Sequence, residues 1–162
     1  MRKWMFLLLM ILLTGCGAQE TFETVADELV LPAMAQPRFV CVDLPGETAM
    51  PVIENDHGRI YVCNDYEILL QTVESGDLEE TVQMLSGLSE KDITILETGS
   101  EGVDRYEFVW ASAGEGGDQM GKATILDDGN YHYVLSVMAA AEDAGELSET
   151  WEQLMESFSI AP

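Results

Sequence analysis

The chain has 162 residues, of which 47% are hydrophobic, and it carries thirty acidic residues against seven basic ones, a formal net charge of -23. Nucleic acid phosphates and anionic lipid surfaces repel such a polyanion, which excludes a nucleic-acid function. Because the apolar content is sufficient for one core, the acidity indicates a solvated, repulsive surface, cation binding or a cationic partner rather than a disordered chain.

The N-terminus has the pattern of a signal peptide that ends at a cysteine. Arg2 and Lys3 precede the apolar run from Trp4 to Leu13, which is about half the length of a membrane-spanning helix. Small residues then lead to Cys16, an arrangement that resembles the bacterial lipobox, in which the cysteine sulfur receives a diacylglyceryl group before cleavage. We predict a signal peptide at residues 1–15, with a plain secretory signal or a buried helix as the alternatives.

Cleavage before Cys16 defines the predicted mature chain. It removes two basic residues and no acidic one, so five basic residues face thirty acidic ones and the formal charge becomes -25. Residues 16–37 are predicted to be a lipidated N-terminus with a short helix or tether, interrupted by Pro32 and Pro37. The remaining residues, 38–162, are predicted to form a single domain. This chain would be extracytoplasmic and anchored to the bacterial cell membrane through Cys16.

The first half of the domain predicts strands followed by a helix. Residues 38–45 predict one strand, and residues 58–73 predict one long strand or two strands separated near Asn64 and Asp65. The period then changes at residues 77–87, where Asp77 and Glu80 suggest a capping box ahead of an apolar stripe. Gly87 ends this predicted helix.

The second half predicts four strands in meander order and a last helix. The strands are residues 92–98, 104–113, 119–127 and 130–139, and the last two are joined through Asp128 and Gly129, a hairpin signal. Residues 145–158 place Leu147, Trp151, Leu154 and Phe158 on one helical face. Because residues 106–113 are apolar on both faces of their strand, helices or loops are expected on both sides of the sheet. The pattern predicts an α+β sandwich with a largely antiparallel sheet.

The order of these elements resembles a known family. The hairpin at residues 127–139, followed by the last helix and its close at Ser157 and Phe158, resembles the PsbP/Mog1/DcrB-like fold of bacterial envelope lipoproteins. The resemblance spans residues 38–160 and implies an αβα sandwich with a binding or accessory role. It carries no functional residues onto this chain.

Motifs that suggest catalysis fail on chemical grounds. Residues 116–123 have P-loop spacing, but Ala123 replaces the magnesium-binding hydroxyl, Asp118 is negative where phosphates would lie, and a strand follows where a helix should begin. His57 is predicted to be a turn residue, and His132 an exposed or edge residue of a strand. No serine has an identifiable base partner. We therefore predict that the chain is not an enzyme.

Acidic turns are abundant and suggest one alternative, a calcium site. They lie at residues 54–56, 115–118 and 127–130, and the candidate ligands are Asp127, Asp128 and Asn130. Calcium takes six to eight oxygen ligands, which two such loops could supply together. Ordinary turns use the same residue types, because Asp, Asn and Gly hydrogen-bond their own backbone and tolerate positive φ. Otherwise no metal or cofactor is predicted.

The cysteine count is odd until lipidation removes one member. Cys41 and Cys63 then remain as a pair outside the reducing cytosol, which predicts a disulfide between two strands. Two reduced thiols in a reducing or anaerobic niche are the alternative.

Three classes of function remain. We predict a non-catalytic binding or accessory module whose partner, a protein or ligand, is cationic and attracted by the negative charge. Exposed members of Tyr106, Trp110, Tyr131 and Tyr133 would add apolar contacts, unless these aromatic residues are simply core. A structural or envelope-stress component and an enzyme of unknown type are the alternatives.

Overall fold

The computed structural model describes residues 35–46, 50–100, 102–114 and 117–161. Within these ranges a seven-stranded antiparallel sheet, a separate two-stranded pair and two α-helices form. The elements are β1 (Val40–Cys41), β2 (Ile53–Asn55), β3 (Gly58–Val62), β4 (Tyr66–Glu74), α1 (Leu78–Ser86), a 3₁₀ turn (Glu90–Asp92), β5 (Ile95–Ser100), β6 (Val103–Gly114), β7 (Gly117–Asp127), β8 (Tyr131–Ala140), α2 (Ser148–Ser157) and β9 (Ser159–Ile160). The predicted α+β class with a largely antiparallel sheet is confirmed.

The large sheet has the strand order β2-β3-β4-β8-β7-β6-β5. Strands β5 to β8 form the predicted meander, and β8 returns to pair with β4 along nine residues of each strand. Because β8 occupies the place beside β4, the chain must leave β4, pass through α1 and begin β5 at the far edge of the sheet. The short strands β1 and β9 pair separately, with Val40 opposite Ile160.

The two helices cover opposite faces of this sheet. Alternate residues of a strand point to opposite faces, and β8 shows both sets. Tyr133, Leu135 and Val137 join the cluster that contains Trp151, Leu154 and Phe158 from the end of the chain. Val134 joins the cluster that contains Val82 of α1. We call these two sides the α2 face and the α1 face.

Local hydrogen bonds define both ends of α1 and the end of α2. The side chain of Asp77 accepts the N–H of Glu79 at 3.0 Å, and Gly87 ends α1 in the left-handed region at φ 73°. The capping box predicted with Glu80 is therefore replaced by a simpler Asp cap. At the end of α2, the Arg105 guanidinium donates to the carbonyl oxygens of Met155 at 2.5 Å and Phe158 at 3.1 Å, a favourable place for a cation.

Several strand predictions need correction. The strand expected over residues 38–45 is only the two-residue β1, because its ordered pairing is limited to the equally short β9. Residues 58–73 form two strands, which was one of the two alternatives. Strand β2 was missed. The expected cover over both faces of β6 is incomplete, since Phe108 and Trp110 are buried on the α1 face while Val109 on the α2 face is half exposed.

The predictions for the N-terminal region lie outside the described residues. They are the signal peptide at residues 1–15, the lipid anchor at Cys16 and, except for its last three residues, the tether at residues 16–37. Among the described residues, no helix has the length and apolar character to cross a membrane. Within the described part of the chain, the two helices and the large sheet share two apolar clusters, one on each face of the sheet.

Candidate functional site

The predicted disulfide between Cys41 and Cys63 is not formed in the structure, where both residues are thiols. Val40 and Val42 pack against the core of the α2 face, whereas Cys41 between them is exposed. Cys63 is buried within that same core. A disulfide would require β1 to turn Cys41 inward in place of its two valine neighbours, because alternate strand residues point in opposite directions.

From this arrangement we expect Cys41 and Cys63 to be reactive thiols, in addition to Cys16, whose sulfur is predicted to carry the lipid. Native alkylation should modify the exposed Cys41 faster than the buried Cys63, since reaction requires access of the reagent to the thiolate. Alkylation of the denatured but unreduced chain should modify both. Mass spectrometry of peptides that contain these cysteines measures each extent. If neither cysteine reacts before reduction, the disulfide predicted from the sequence is present after all.

The acidic turn at residues 127–130 uses its carboxylate oxygen atoms for hydrogen bonds with neighbouring residues of the chain. Asp128 Oδ1 accepts the backbone N–H groups of Asn130 at 3.0 Å and Tyr131 at 2.9 Å, and its Oδ2 accepts the hydroxyl of Tyr133 at 2.9 Å. Burial opposes ionisation of Asp128, but these hydrogen bonds and the positive charge of Arg38 outweigh it and lower the pKa of Asp128. The calcium candidates Asp127, Asp128 and Asn130 thus form an ordinary tight turn. Within the described ranges, no group of three or more His, Cys, Asp or Glu side chains is arranged to hold a metal.

The glycine-rich stretch with P-loop spacing lies on a strand. Gly117 to Ala123 belong to β7, with Gly121 opposite Trp110 and Lys122 opposite Val109 on β6. A phosphate-binding loop needs backbone N–H groups free at a helix N-terminus, and here strand pairing continues through the stretch. The rejection of a P-loop on chemical grounds therefore agrees with the structure.

His132 is the clearest departure from the sequence-based predictions, because its side chain is only 1% exposed. Its Nδ1 lies 2.8 Å from Thr81 Oγ1 on α1, and its Nε2 lies 3.3 Å from Ser75 Oγ. Asp127 Oδ2 lies 3.4 Å from the same Nε2, and Ser75 Oγ donates to Asp127 Oδ1 at 3.1 Å. The prediction of an exposed or edge position was wrong, since α1 folds back over this part of β8.

This polar cluster contains a serine, a histidine and an aspartate, but its geometry differs from that of a catalytic triad. A triad places the nucleophile and the carboxylate on different ring nitrogens, whereas Ser75 and Asp127 both face Nε2. Thr81, on the other nitrogen, is buried under its own helix. The cavities described below are lined by other residues. The hydrogen bonds of the cluster connect the end of β4, helix α1 and the β7–β8 hairpin, and so hold these three elements together.

The aromatic residues proposed for partner contacts are mostly core. Trp110 is 6% exposed and Tyr133 is fully buried, while Tyr106 and Tyr131 are partly buried. The alternative that these residues are core holds for Trp110 and Tyr133, because one is covered by α1 and the other by α2. Exposed apolar surface instead comes from other side chains, which are the aromatic ring of Phe39 and several aliphatic residues and methionines.

An apolar groove lies on the α1 face, beside the helix. Strand pairing places Ile53, Ile60 and Leu69 in one row across β2, β3 and β4. Helix α1 packs over β6, β7 and β8 and leaves this part of the sheet uncovered. Met84 of α1 and Met138 of β8 form the opposite wall of a cavity of about 210 Å³, which continues into a second of about 250 Å³ that shares Ile60 and Leu69.

Side chains of this groove are accessible to solvent. Ile53 is 53% exposed and Met84 is 51%, whereas Ile60, Leu69 and Met138 are partly exposed. Contiguous exposed apolar surface of this kind is typical of an interaction site, because water contact with it is unfavourable. We name this surface, defined by Ile53, Ile60, Leu69, Met84 and Met138, the apolar groove.

One end of the apolar groove is acidic. A third cavity, of about 360 Å³, shares Glu67 and Met138 with the first and is also lined by Asp65 and Asp143. No lysine or arginine is among the described residues that line these three cavities. The arrangement therefore offers apolar contact along the strands and negative charge at the end, which suits a ligand that is both apolar and positively charged.

Comparisons with known proteins show the fold and no family. No family model matches the chain, and no curated protein matches it. The solved structure of LpqN, a Mycobacterium tuberculosis protein involved in cell envelope biogenesis, is similar with a TM-score of 0.51 at 12% identity, over 79% of this chain and 87% of LpqN. The Pseudomonas aeruginosa protein PA94, of unknown function, gives a TM-score of 0.48 at 13% identity, over 82% of this chain and 90% of that protein. These similarities do not test the resemblance to PsbP and Mog1 proteins, which stays a prediction.

Sequence reasoning missed the apolar groove, although part of its signal is present. Ile53 follows Val52 directly, and Met84 lies outside the predicted stripe of its helix. Single exposed apolar residues are ordinary on protein surfaces, so neither position indicates a site by itself. Only the pairing of β2, β3 and β4 brings the three aliphatic side chains into one row.

Proposed function

We propose that this chain is an extracytoplasmic lipoprotein, anchored to the bacterial membrane through Cys16, that acts as a non-catalytic binding module. Its domain would have the αβα arrangement of PsbP/Mog1-like proteins, and its partner would be a protein that presents a basic, apolar segment. The observation that carries this proposal is the apolar groove with its acidic end. Membrane anchoring rests on the lipobox-like sequence that ends at Cys16.

The location and the fold support each other. The lipobox-like sequence predicts an envelope protein, and LpqN, whose fold is similar, is involved in cell envelope biogenesis. A large negative charge also suits encounter with a cationic partner, because opposite charges raise the rate of association. A lipid anchor would hold the domain near the membrane surface and leave the groove open to proteins of the same compartment.

The apolar and charged parts of the site contribute differently. Burial of the groove side chains supplies affinity at roughly 25 cal/mol for each Å² of apolar area removed from water. Asp65, Glu67 and Asp143 supply orientation and selection, since exposed ion pairs contribute only about 0.2–1 kcal/mol each. A partner segment must therefore present apolar side chains next to lysine or arginine to bind well.

Synthetic peptides test this proposal. A short peptide in which leucine alternates with lysine is expected to bind the mature chain, and its glutamate counterpart is not. The affinity for the basic peptide should fall from 0.05 to 0.5 M salt, because the Debye length shortens from about 10 Å at 0.1 M to about 3 Å at 1 M. Titration calorimetry at each salt concentration measures this.

Two double variants locate the interaction. Glu67→Gln with Asp143→Asn removes two charges from the acidic end and should weaken the affinity for the basic peptide about fivefold or more. Glu152→Gln with Glu156→Gln removes two charges from the exposed side of α2 and should leave its affinity nearly unchanged. Equal losses in both variants would mean that only the total charge matters. Equal binding of the basic and acidic peptides would remove the proposal.

A further inference from the structure

A fourth cavity, of about 450 Å³, lies on the α2 face between the β5–β6 hairpin and the β1–β9 pair. Its floor consists of Val103, Leu126, Phe158 and Ile160, which belong to or pack on the core of that face. Leu126 is 4% exposed and Phe158 is 2% exposed, so the floor is fixed by the core beneath it. A volume in this range accommodates a small organic molecule.

The rim of this cavity is unusual for so acidic a chain, because it contains two arginines, Arg38 and Arg105. The predicted mature chain has only five basic residues against thirty acidic ones. No aspartate or glutamate is among the described residues that line the cavity, where the other polar groups include the hydroxyls of Thr98, Ser100 and Ser159. The lining thus contains two cationic groups, of which Arg105 forms an ion pair with Glu107 just outside the cavity.

Both arginines are held in place by backbone carbonyl groups. Arg105 donates to the carbonyls of Met155 and Phe158 and from Nε to Glu107 at 2.6 Å. A guanidinium carries five N–H donors, so these three bonds leave others for a ligand. Arg38 donates from Nη2 to the carbonyl of Ala161 at 3.2 Å, and its backbone N–H donates to the Tyr133 hydroxyl at 2.8 Å. The backbone bond fixes where this arginine enters the rim.

We propose that this cavity binds a small organic anion, with a carboxylate, phosphate or sulfonate group at the two arginines and an apolar body on the floor. Guanidinium groups match the planar geometry of such oxyanions and bind them through paired hydrogen bonds. The apolar floor excludes water from the body of the ligand, while the hydroxyls of the rim satisfy remaining oxygen atoms. The remaining surface of the chain repels anions, so the site selects them only at short range.

This site is separate from the proposed partner groove, which lies on the other face of the sheet and favours positive charge. A ligand in the cavity would contact Phe158, directly after α2, and Ser159 and Ile160 of β9. Binding would therefore stabilise the end of the chain as well as the β5–β6 hairpin.

Two fluorescent probes with the same apolar body test the proposal. They are 1-anilinonaphthalene-8-sulfonate and N-phenyl-1-naphthylamine, which lacks the sulfonate. The mature chain is used with Cys16→Ser, so that no attached lipid competes. We expect the sulfonate probe to bind, and decanoate to displace it better than decyltrimethylammonium does. Arg38→Gln should weaken the sulfonate probe by about tenfold, as expected for a hydrogen bond to a charged group, with little effect on the neutral probe.

Three further variants make the outcome specific. Lys91→Gln removes the same charge from an exposed turn and should leave the affinity for the sulfonate probe unchanged. Met84→Ser, in the apolar groove, should also leave it unchanged. Thr98→Trp, on the exposed edge strand, fills the cavity without removing an arginine and should prevent both probes from binding. This variant tests the proposal if Arg38→Gln fails to fold. Equal affinity of the sulfonate probe for the unmodified chain and either cavity variant would overturn the proposal, as would an equal loss in Lys91→Gln.

Discussion

Cys16→Ser is expected to release the chain from the membrane completely. The thiol of Cys16 is the only group at that position that accepts a diacylglyceryl chain, and serine cannot replace it in that reaction. Each buried methylene of an acyl chain contributes about 0.8 kcal/mol to membrane binding, so two or more chains hold a protein far more firmly than one. Without them, the strongly acidic domain has no attraction to an anionic lipid surface.

Labelled fatty acid and detergent partitioning measure this effect. The unmodified chain should incorporate the label and enter the detergent phase, and Cys16→Ser should do neither. Cys41→Ser is the matched control, because it removes an exposed thiol from β1 and leaves the lipobox-like sequence intact. A Cys16→Ser chain that still takes up label and partitions into detergent would contradict the predicted anchor, although both binding sites of the folded domain could still be tested.

Local signals in the sequence predicted the elements that local chemistry determines. Asp77 caps α1, Gly87 ends it, and Gly129 closes the β7–β8 hairpin at φ 83°. The apolar face of α2 was also correct, since Trp151 and Leu154 are buried. In each case the deciding residues lie within one or two turns of one another, so the spacing alone contains the information.

Features that depend on distant pairing were not predictable in this way. Strand β2 has only three residues, and its pairing with β3 is what identifies it. His132 alternates with two tyrosines, a pattern that leaves its face undecided until α1 returns over β8. Cys41 and Cys63 lie on suitable segments for a disulfide, but the direction of each side chain depends on how β1 packs. The sequence therefore indicated candidate residues, but it did not show which other residues they contact in the fold.

The candidate sites show the same limit more strongly. The acidic end of the apolar groove combines Asp65 and Glu67 with Asp143, which lies much later in the chain, after β8. Arg38 and Arg105 likewise lie far apart in the chain, and they line one cavity because both bond to the C-terminal segment that contains the end of α2 and β9. Net charge predicted a cationic partner, but it could not reveal a cavity with the opposite preference.

Gly121→Val is expected to lower the free energy of unfolding by about 3–5 kcal/mol, similar to removing a large buried aromatic side chain. Gly121 lies opposite Trp110, and the indole ring covers the place where a side chain would be. A Cβ atom at Gly121 would lie 2.2 Å from Cζ2, 2.4 Å from Cε2 and 2.6 Å from Cη2 of Trp110. Because Trp110 is buried and packs against Phe108 at a centroid distance of 5.6 Å, the ring must leave the core or the strands must separate.

Replacement of a glycine also has a stabilising effect, but this effect is smaller than the cost of the clash, so Gly121→Val is expected to destabilise the fold. Replacing a glycine within a strand by alanine stabilises a protein by roughly 0.5–1 kcal/mol when space allows, because the unfolded chain loses freedom. Gly145→Ala is the control, because nothing lies within 4 Å of a Cβ at that position. The urea concentration at the midpoint of unfolding should hardly change in this variant. In Trp110→Leu the ring is gone, so adding Gly121→Ala should cost much less than it does in the unmodified chain. Urea unfolding of the unmodified chain, Gly121→Ala, Trp110→Leu and the double variant measures this coupling. An additive result would show that Trp110 does not occupy the space over Gly121.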